Sequence, residues 1–227
     1  MPIRSRFGTC VLAPLVGGLA LATAPALMPL APGAPLRAAE IVPARAVRAI
    51  NLARTHVVRL NGGLSAYRPA QCMFATAAST NPCLVRNDAD GYLFHFVGGS
   101  PAWEQQNRMP TVETEILISP EGREVEELVY NGELRAPALA ISLARTHAVK
   151  INGGPTVYEP DSCMLAPAAA RGNRCLVSQK SSGYRFRFRG GAPNWQRDMQ
   201  RATRETEILI SPDGRTVEDV IYNGERR

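Results

Sequence analysis

The sequence lacks the patterns that mark several classes of protein. It has no Gly-X-Y period, which excludes a collagen triple helix. It has one long apolar run, at the N-terminus, which excludes a membrane protein with several spanning helices. It also lacks a phosphate loop, a dinucleotide fingerprint, a Gly-x-Ser-x-Gly motif and a His-Glu-x-x-His motif. Charged residues make up 20% and hydrophobic residues 45% of the chain, which excludes a wholly disordered protein.

The N-terminal segment, residues 1–39, has the composition of an export signal. Two arginines supply its positive charge, and the stretch 10–30 is apolar and uncharged. Alanine-rich stretches at 24–26 and 38–39 are both suitable cleavage regions. An uncleaved membrane anchor is the alternative, although prolines interrupt the apolar run. We expect cleavage, which leaves a periplasmic or secreted protein without a membrane span.

The rest of the chain contains one sequence unit written twice. The recurring segments are 52–56 as 143–147, 61–63 as 152–154, 72–73 as 163–164, 83–85 as 175–177, 113–120 as 205–212 and 130–133 as 222–225. The offset is 91 residues up to the first cysteine of each unit and 92 after the second cysteine. After the signal, the sequence therefore predicts two repeat domains, 40–135 and 136–227, joined by a short linker.

Each unit has the pattern of a helix followed by strands. Apolar residues spaced by three and four predict a helix over 44–60, and a second one over 138–151. Polar turns predict two hairpins in each unit, at 83–97 and 113–130 in the first. The predicted fold class is α+β, in which each repeat packs one N-terminal helix on an antiparallel sheet of four to five strands.

One strand of each unit has faces of different composition. Aromatic residues alternate along 92–96 and again along 184–188. Their interleaved neighbours are Leu, His and Val in the first unit, but Arg185, Arg187 and Arg189 in the second. Because a position that accepts arginine is normally wet, we expect the aromatic side to face the core. The three arginines on the other side could bind an anionic partner, or could simply form a solvated basic face.

The helix-first order and the closing hairpin at 208–217 resemble the PepSY-like and cystatin-like group of small domains. The resemblance is one of architecture and covers most of each repeat. It implies a small exported module that binds or restrains a partner such as a protease. The Gln-x-Val-x-Gly loop through which cystatins block proteases is missing from this sequence.

Four cysteines remain after the signal, two in each unit. A unit that folded alone before it was duplicated must have paired its cysteines internally, which predicts the disulfides Cys72–Cys83 and Cys163–Cys175. The alternative is a metal site that includes His56. A cysteine spacing near ten residues lacks the close ligand pair typical of zinc sites, so we expect no metal.

Three further pairs of residues recur in both units and are candidates for function. His56 and His147 could act as general bases or pH switches, or could simply lie at a helix edge. Trp103 and Trp195 follow Gly-Gly-x-Pro-x and could form binding loops or cover the core. The Glu-Thr-Glu motifs at 113–115 and 205–207 could do glycosidase chemistry, or form an exposed row opposite arginines.

The charge distribution completes the functional prediction. Residues 45–135 hold nine basic and ten acidic side chains, whereas 136–227 hold fourteen and nine. We expect an exported, non-catalytic binding or inhibitory module without a cofactor, whose partner is an envelope protein or an anionic polymer rather than a specific nucleic acid. The alternatives are a periplasmic hydrolase that uses the shared histidines or the Glu pairs, and a structural envelope protein held through its basic second repeat.

Overall fold

The computed structural model describes residues 42–77, 79–167 and 173–227, and the predicted export signal lies outside these residues. The N-terminal half contains helix α1 and strands β1 to β5, with the bounds α1 Ala44–Leu60, β1 Arg68–Pro69, β2 Leu84–Asp88, β3 Gly91–Gly99, β4 Val112–Ile118 and β5 Val125–Gly132. The C-terminal half contains α2 Ala136–Ile151, β6 Glu159–Pro160, β7 Leu176–Lys180, β8 Gly183–Gly191, β9 Arg204–Ile210 and β10 Val217–Glu225.

Each half forms one antiparallel sheet of five strands. In the first sheet the order is β1-β3-β4-β5. Strand β2 pairs with the beginning of β3, and β1 pairs with the end of the same strand, so the two lie along one edge of β3. In the second sheet the order is β6-β8-β9-β10, and β7 pairs with β8 in the same way. These sheets and helices confirm the predicted α+β fold class.

Helix α1 packs on the aromatic face of the first sheet. Its inner side is built largely from alanines, which allow a close approach to the strands because they have no side chain beyond Cβ. The core of this half consists of Ala46, Ala49, Ile50, Ala53 and Val57 from α1 together with Tyr92, Phe94, Phe96, Ile116 and Ile118 from the sheet. The second core contains Ala140, Ile141, Ala144 and Ala148 of α2 together with Tyr184, Phe186, Phe188, Ile208 and Ile210 of its sheet. The prediction that the aromatic side of the strand faces the core is therefore confirmed in both halves.

The turn between β4 and β5 fixes α1 against the sheet. Gly122 has a φ of +71°, and a Cβ at this position would lie 2.3 Å from the carbonyl oxygen of Arg45. Likewise, a Cβ at Gly214, between β9 and β10, would lie 2.4 Å from the carbonyl oxygen of Ala136. A larger residue at either place would push the first turn of the helix away from the sheet, since both the backbone angle and the space require glycine.

The segment 65–74, which follows α1, contains little strand. Only Arg68–Pro69 pairs with β3, and Gln71–Phe74 forms a 3-10 turn. Pro69 has no N–H to donate, which limits the strand to this short edge contact. Helix α2 begins at Ala136, before the predicted start at 138, because Pro137 is well tolerated in the first turn of a helix.

The two disulfides join the residues that the sequence predicted. Cys72 pairs with Cys83 and Cys163 pairs with Cys175. Asn81 supports the first loop, because its side-chain amide donates to the carbonyl oxygen of Cys72 at 2.9 Å while its Oδ1 accepts from the backbone N–H of Cys83 at 2.8 Å. Disulfides persist in oxidising compartments, which is consistent with a protein located outside the cytoplasm.

Neither α1 nor α2, the α-helices found in the described residues, is long and apolar enough to cross a membrane.

Candidate functional site

The outer face of the second sheet carries a row of arginines. Side chains alternate along β8, so Arg185, Arg187 and Arg189 leave the sheet on the side opposite the core. Arg187 and Arg189 are exposed, and Arg185 is half-buried. The structure therefore brings these three predicted site residues together on one face.

Two of these arginines neutralise a buried carboxylate. Glu207 on β9 lies opposite Arg187, and its side chain is 2% exposed. It accepts hydrogen bonds from the guanidinium groups of Arg185 and of Arg187, the latter at 3.1 Å. Burial raises the pKa of Glu207, but the hydrogen bonds from Arg187 and Arg185 outweigh burial and lower it overall. Arg185 and Arg187 are thus partly engaged within the protein.

Arg189 is more available to a ligand. No carboxylate among the described residues forms an ion pair with it, and it lines a cavity of about 560 Å³ on the outer face. The charged residues that line the cavity are Asp161, Arg174, Arg187, Arg189, Glu205 and Arg227. Arg174 pairs with Asp161, and the guanidinium of Arg227 lies 3.9 Å from Glu205. Arginine is in the majority here, so the cavity can accept an anionic group.

Sequence reasoning missed Arg174 and Arg227. Arg227 could have been found, because it recurs as Arg135 at the same offset of 92 residues. Arg135 and Arg227 each stack on a tyrosine. The guanidinium carbon of Arg135 lies 4.4 Å from the ring centre of Tyr130, and that of Arg227 lies 3.5 Å from the ring centre of Tyr222. Arg174 has no arginine at the matching place in the first half, where Pro82 stands, so the repeat gave no signal for it.

The corresponding face of the first sheet has a different chemistry. Glu113 on β4 is 2% exposed, and its carboxylate accepts a hydrogen bond from His95 Nε2 at 2.6 Å. It also accepts from the backbone N–H of Arg135 at 2.7 Å and from the Arg135 guanidinium at 2.6 Å. Burial opposes ionisation of Glu113, but these hydrogen bonds outweigh it and lower the pKa to about 2.

Helix α2 covers this face of the first sheet. His95 and Val97 line a small cavity of about 20 Å³ together with Ala138, Ile141 and Ser142 of α2. Ala138 and Ser142 are buried, whereas Val47, the counterpart of Ala138 in α1, is 41% exposed. Helix α2 is therefore buried on two sides, one toward each sheet. The side of β3 that carries Leu93, His95 and Val97 was expected to be wet, because arginines occupy the matching places in β8. It is instead partly buried by α2.

The two tryptophans occupy different environments. Trp103 is 2% exposed and donates from Nε1 to the carbonyl oxygen of Arg68 at 3.0 Å. The guanidinium of Arg145, on α2, stacks on its ring at 4.8 Å. Trp195 donates in the same way to Glu159, at 3.0 Å, but it is only half-buried. Trp103 thus covers the core and is itself in contact with α2, while Trp195 stays partly accessible to solvent.

The shared histidines lie away from the arginine-lined cavity. His56 is half-buried on α1, which packs on the inner face of the first sheet, whereas Glu115 lies on the outer face and contacts Arg135. The sheet therefore separates His56 from the nearest Glu pair. His147 is half-buried on α2, where burial and then the charge of Lys150 lower its pKa.

The expectation that the Glu-Thr-Glu motifs form an exposed row is wrong. Glu113, Glu205 and Glu207 are each less than a tenth exposed, although they do face arginines as expected. The long arginine side chains lie over the carboxylates and take them out of water. Among the described residues, no group of His, Cys, Asp or Glu side chains is arranged to hold a metal ion.

Comparisons of the chain with protein-family models, with curated proteins and with solved structures gave no match.

Proposed function

We propose that this chain is an exported, non-catalytic binding or inhibitory protein that holds an anionic partner on the outer face of its second sheet. The observation that carries the proposal is the cavity of about 560 Å³ at which Arg189 stands without an ion-pair partner among the described residues. Arg174 and Arg227 flank the same cavity. Such a cluster attracts phosphate, sulfate or carboxylate groups through charge-assisted hydrogen bonds.

The proposal includes the domain organisation and the compartment. Residues 40–135 and 136–227 are tandem repeat domains of a PepSY-like type, a proposal supported by the recurring motifs and by the same strand order in both sheets. The N-terminal signal and the two disulfides support a periplasmic or secreted location. The partner is a component of the cell envelope that carries negative charge.

The site offers binding groups rather than a catalytic arrangement. Glu205 and Glu207 are held by arginines, and a carboxylate fixed in this way is a poor general acid. His56 and His147 do not line the cavity. The basic second half also supports a second candidate function, a structural protein that stays attached to an anionic envelope component.

The test is retention of the exported protein on a sulfated polysaccharide matrix across a salt gradient. The variant Arg174→Ala/Arg189→Val removes two cavity arginines and spares the pairs that neutralise Glu207. The control, Arg59→Ala/Arg123→Ala, removes the same charge from exposed positions elsewhere. We expect the cavity variant to elute at clearly lower salt than the control, because exposed charges act only within about 10 Å at 0.1 M salt. Equal elution of the two variants would remove the cavity as the binding site.

A further inference from the structure

The loop after β8 has the same backbone as the loop after β3. Trp103 and Trp195 each accept a hydrogen bond, through the backbone oxygen, from the amide five residues later, at 2.7 and 2.8 Å. Asn107 and Met199, four residues after each tryptophan, both have positive φ, 50° and 53°. Corresponding side chains of the two loops therefore leave the backbone at corresponding places.

In the first half, this loop binds helix α2. The side-chain amide of Asn107 donates to the carbonyl oxygen of Thr146 at 2.9 Å, and Arg145 stacks on Trp103. In the second half, Met199 stands at the place of Asn107 and is 92% exposed. The surface that receives a helix in the first half is thus present and uncovered in the second. We call it the open surface and define it by Arg187, Arg189, Trp195, Met199 and Arg227.

We propose that the open surface binds an α-helix of a partner protein, that this helix occupies the place that α2 occupies on the first sheet, and that it presents carboxylates to Arg187 and Arg189. This inference rests on the proposed function and names the class of its partner. Tryptophan, methionine and arginine are among the residues enriched in protein interfaces, and the half-buried Trp195, the exposed Met199 and the arginines therefore favour a protein over a simple anion.

The charge of the partner follows from two substitutions between the halves. On the first sheet, His95 and Val97 face Ala138, Ile141 and Ser142 of α2 across a cavity of about 20 Å³. Arg187 and Arg189 stand at the places of His95 and Val97 in the second sheet. A helix seated there would meet two guanidinium groups, so it needs acidic residues on the side that α2 fills with Ala138 and Ser142.

A second copy of this chain does not satisfy the open surface. Helix α1 of another copy would bring Arg54 to the place of Arg145. In the first half, Arg145 has a carboxylate, Glu104, at 3.8 Å, but Gln196 stands at the place of Glu104 in the second half. Arg54 would lack the glutamate partner that Arg145 has, and the nearby carboxylate of Asp161 is already paired with Arg174, which makes this seating unfavourable. This difference also opposes open-ended head-to-tail assembly.

Two other occupants fit the surface less well. Residues 1–39 carry three arginines and no carboxylate, so charge repulsion opposes their binding. An anionic polysaccharide would engage the arginines but would leave Trp195 and Met199 uncovered. The apolar and the basic parts of the open surface are satisfied together by an amphipathic acidic helix.

The test uses the exported protein and a synthetic peptide with the sequence of α2, residues 136–151, that carries Ala138→Glu, Ser142→Glu and Arg145→Gln. The control peptides are the unchanged α2 sequence and a scrambled peptide with the composition of the acidic one. Binding is measured by titration calorimetry. The methyl NMR signal of Met199, assigned through Met199→Leu, reports whether the peptide reaches this residue. The protein variant Arg189→Val/Met199→Asn introduces the residues of the first half, and Arg59→Ala is its control.

We expect the acidic peptide to bind at least about tenfold more tightly than either control peptide, and the double variant to weaken it by about tenfold or more. The Met199 methyl signal should shift on binding. Equal affinity for the acidic and scrambled peptides, or polysaccharide binding without peptide binding, would overturn this inference and leave the proposed function standing. Concentration-dependent self-association abolished by Arg189→Val/Met199→Asn would replace the partner helix by a second copy. Failure of Arg174→Ala/Arg189→Val to alter retention on the anionic matrix would remove the proposed function itself.

Discussion

Glu113 receives three hydrogen bonds from Arg135, one from its backbone N–H at 2.7 Å and two from its guanidinium, at 2.6 and 3.0 Å. Arg135 is the residue that immediately precedes α2. A single buried carboxylate on the first sheet therefore fixes the position at which the helix of the second half begins. It also fixes the side of the sheet on which α2 lies.

Replacement of Glu113 by Gln is expected to destabilise the protein by about 3 kcal/mol, because it removes one partner of a buried, hydrogen-bonded ion pair. Glu205→Gln is the matched control, since the Arg227 guanidinium lies 3.9 Å from Glu205, too far for a hydrogen bond. Its expected cost is smaller than that of Glu113→Gln, because a carboxylate paired at 3.9 Å loses less than one held by charge-assisted hydrogen bonds. The measurement is urea unfolding of the two variants and the wild type. An equal loss at both positions would show that the Arg135 contacts do not anchor α2.

The pH dependence of stability follows from the same group. The pKa of Glu113 is lowered from its ordinary value near 4.5 to about 2 in the folded protein. The unfolded chain therefore binds the proton more readily, and the stabilisation is fully present above about pH 5 and is lost as the pH falls toward 2. Its size at neutral pH is on the order of 3 kcal/mol.

This dependence is measured as the free energy of unfolding across an acid pH series. Glu113→Gln should flatten the curve between pH 5 and 2, although the lowered pKa of Glu207 leaves part of the slope in place. Identical curves for the variant and the wild type would mean that Glu113 does not carry the acid sensitivity.

Exchange of residues between the two outer faces tests whether α2 covers one of them. Val97→Arg forces a long charged side chain under α2. It should lower the free energy of unfolding by about 1–3 kcal/mol, the usual range for overpacking. The reciprocal change, Arg189→Val, alters an exposed position and should stay within about 0.5 kcal/mol. Thermal unfolding of both variants gives the comparison. Similar stability for the two would indicate that the first face is as open as the second.

The disulfides are expected to stabilise each half to a similar extent. Each closes a loop with a sequence separation of 11 or 12 residues, and such a loop contributes about 3 kcal/mol. Cys72→Ala/Cys83→Ala and Cys163→Ala/Cys175→Ala should each lower the unfolding free energy by this order. Peptide mapping of the unreduced wild-type protein should recover both pairs. A cross-linked peptide that joins the two halves would contradict the assignment.

The fragment 40–135 tests the proposed domain boundary. It contains α1, the whole first sheet and Arg135, so we expect a cooperative thermal transition. Its stability should be lower than that of the full chain, because His95 and Val97 lose the cover of α2 and a small domain buries a smaller fraction of its surface. A fragment with random-coil circular dichroism would instead show that the two halves fold as one domain.

The sequence alone was sufficient for the features that depend on neighbouring residues and on repetition. The spacing of apolar residues located α1 to within the observed bounds, and alternation along β3 and β8 gave the correct core face. The repeat selected the disulfide partners, because a unit present twice must close its own loops. These inferences need only the period of a helix or a strand and the identity of the recurring residues.

The tertiary structure decided how the two halves differ. Val97 and Arg189 occupy the same place in their strands, yet α2 covers the first and leaves the second exposed. Likewise, Trp103 is buried beneath Arg145, while Trp195 remains half-buried. The local patterns of the two units are alike, so no periodicity could show this asymmetry. It arises because α2 packs between two sheets, and residues far apart in the chain determine which surface is left open.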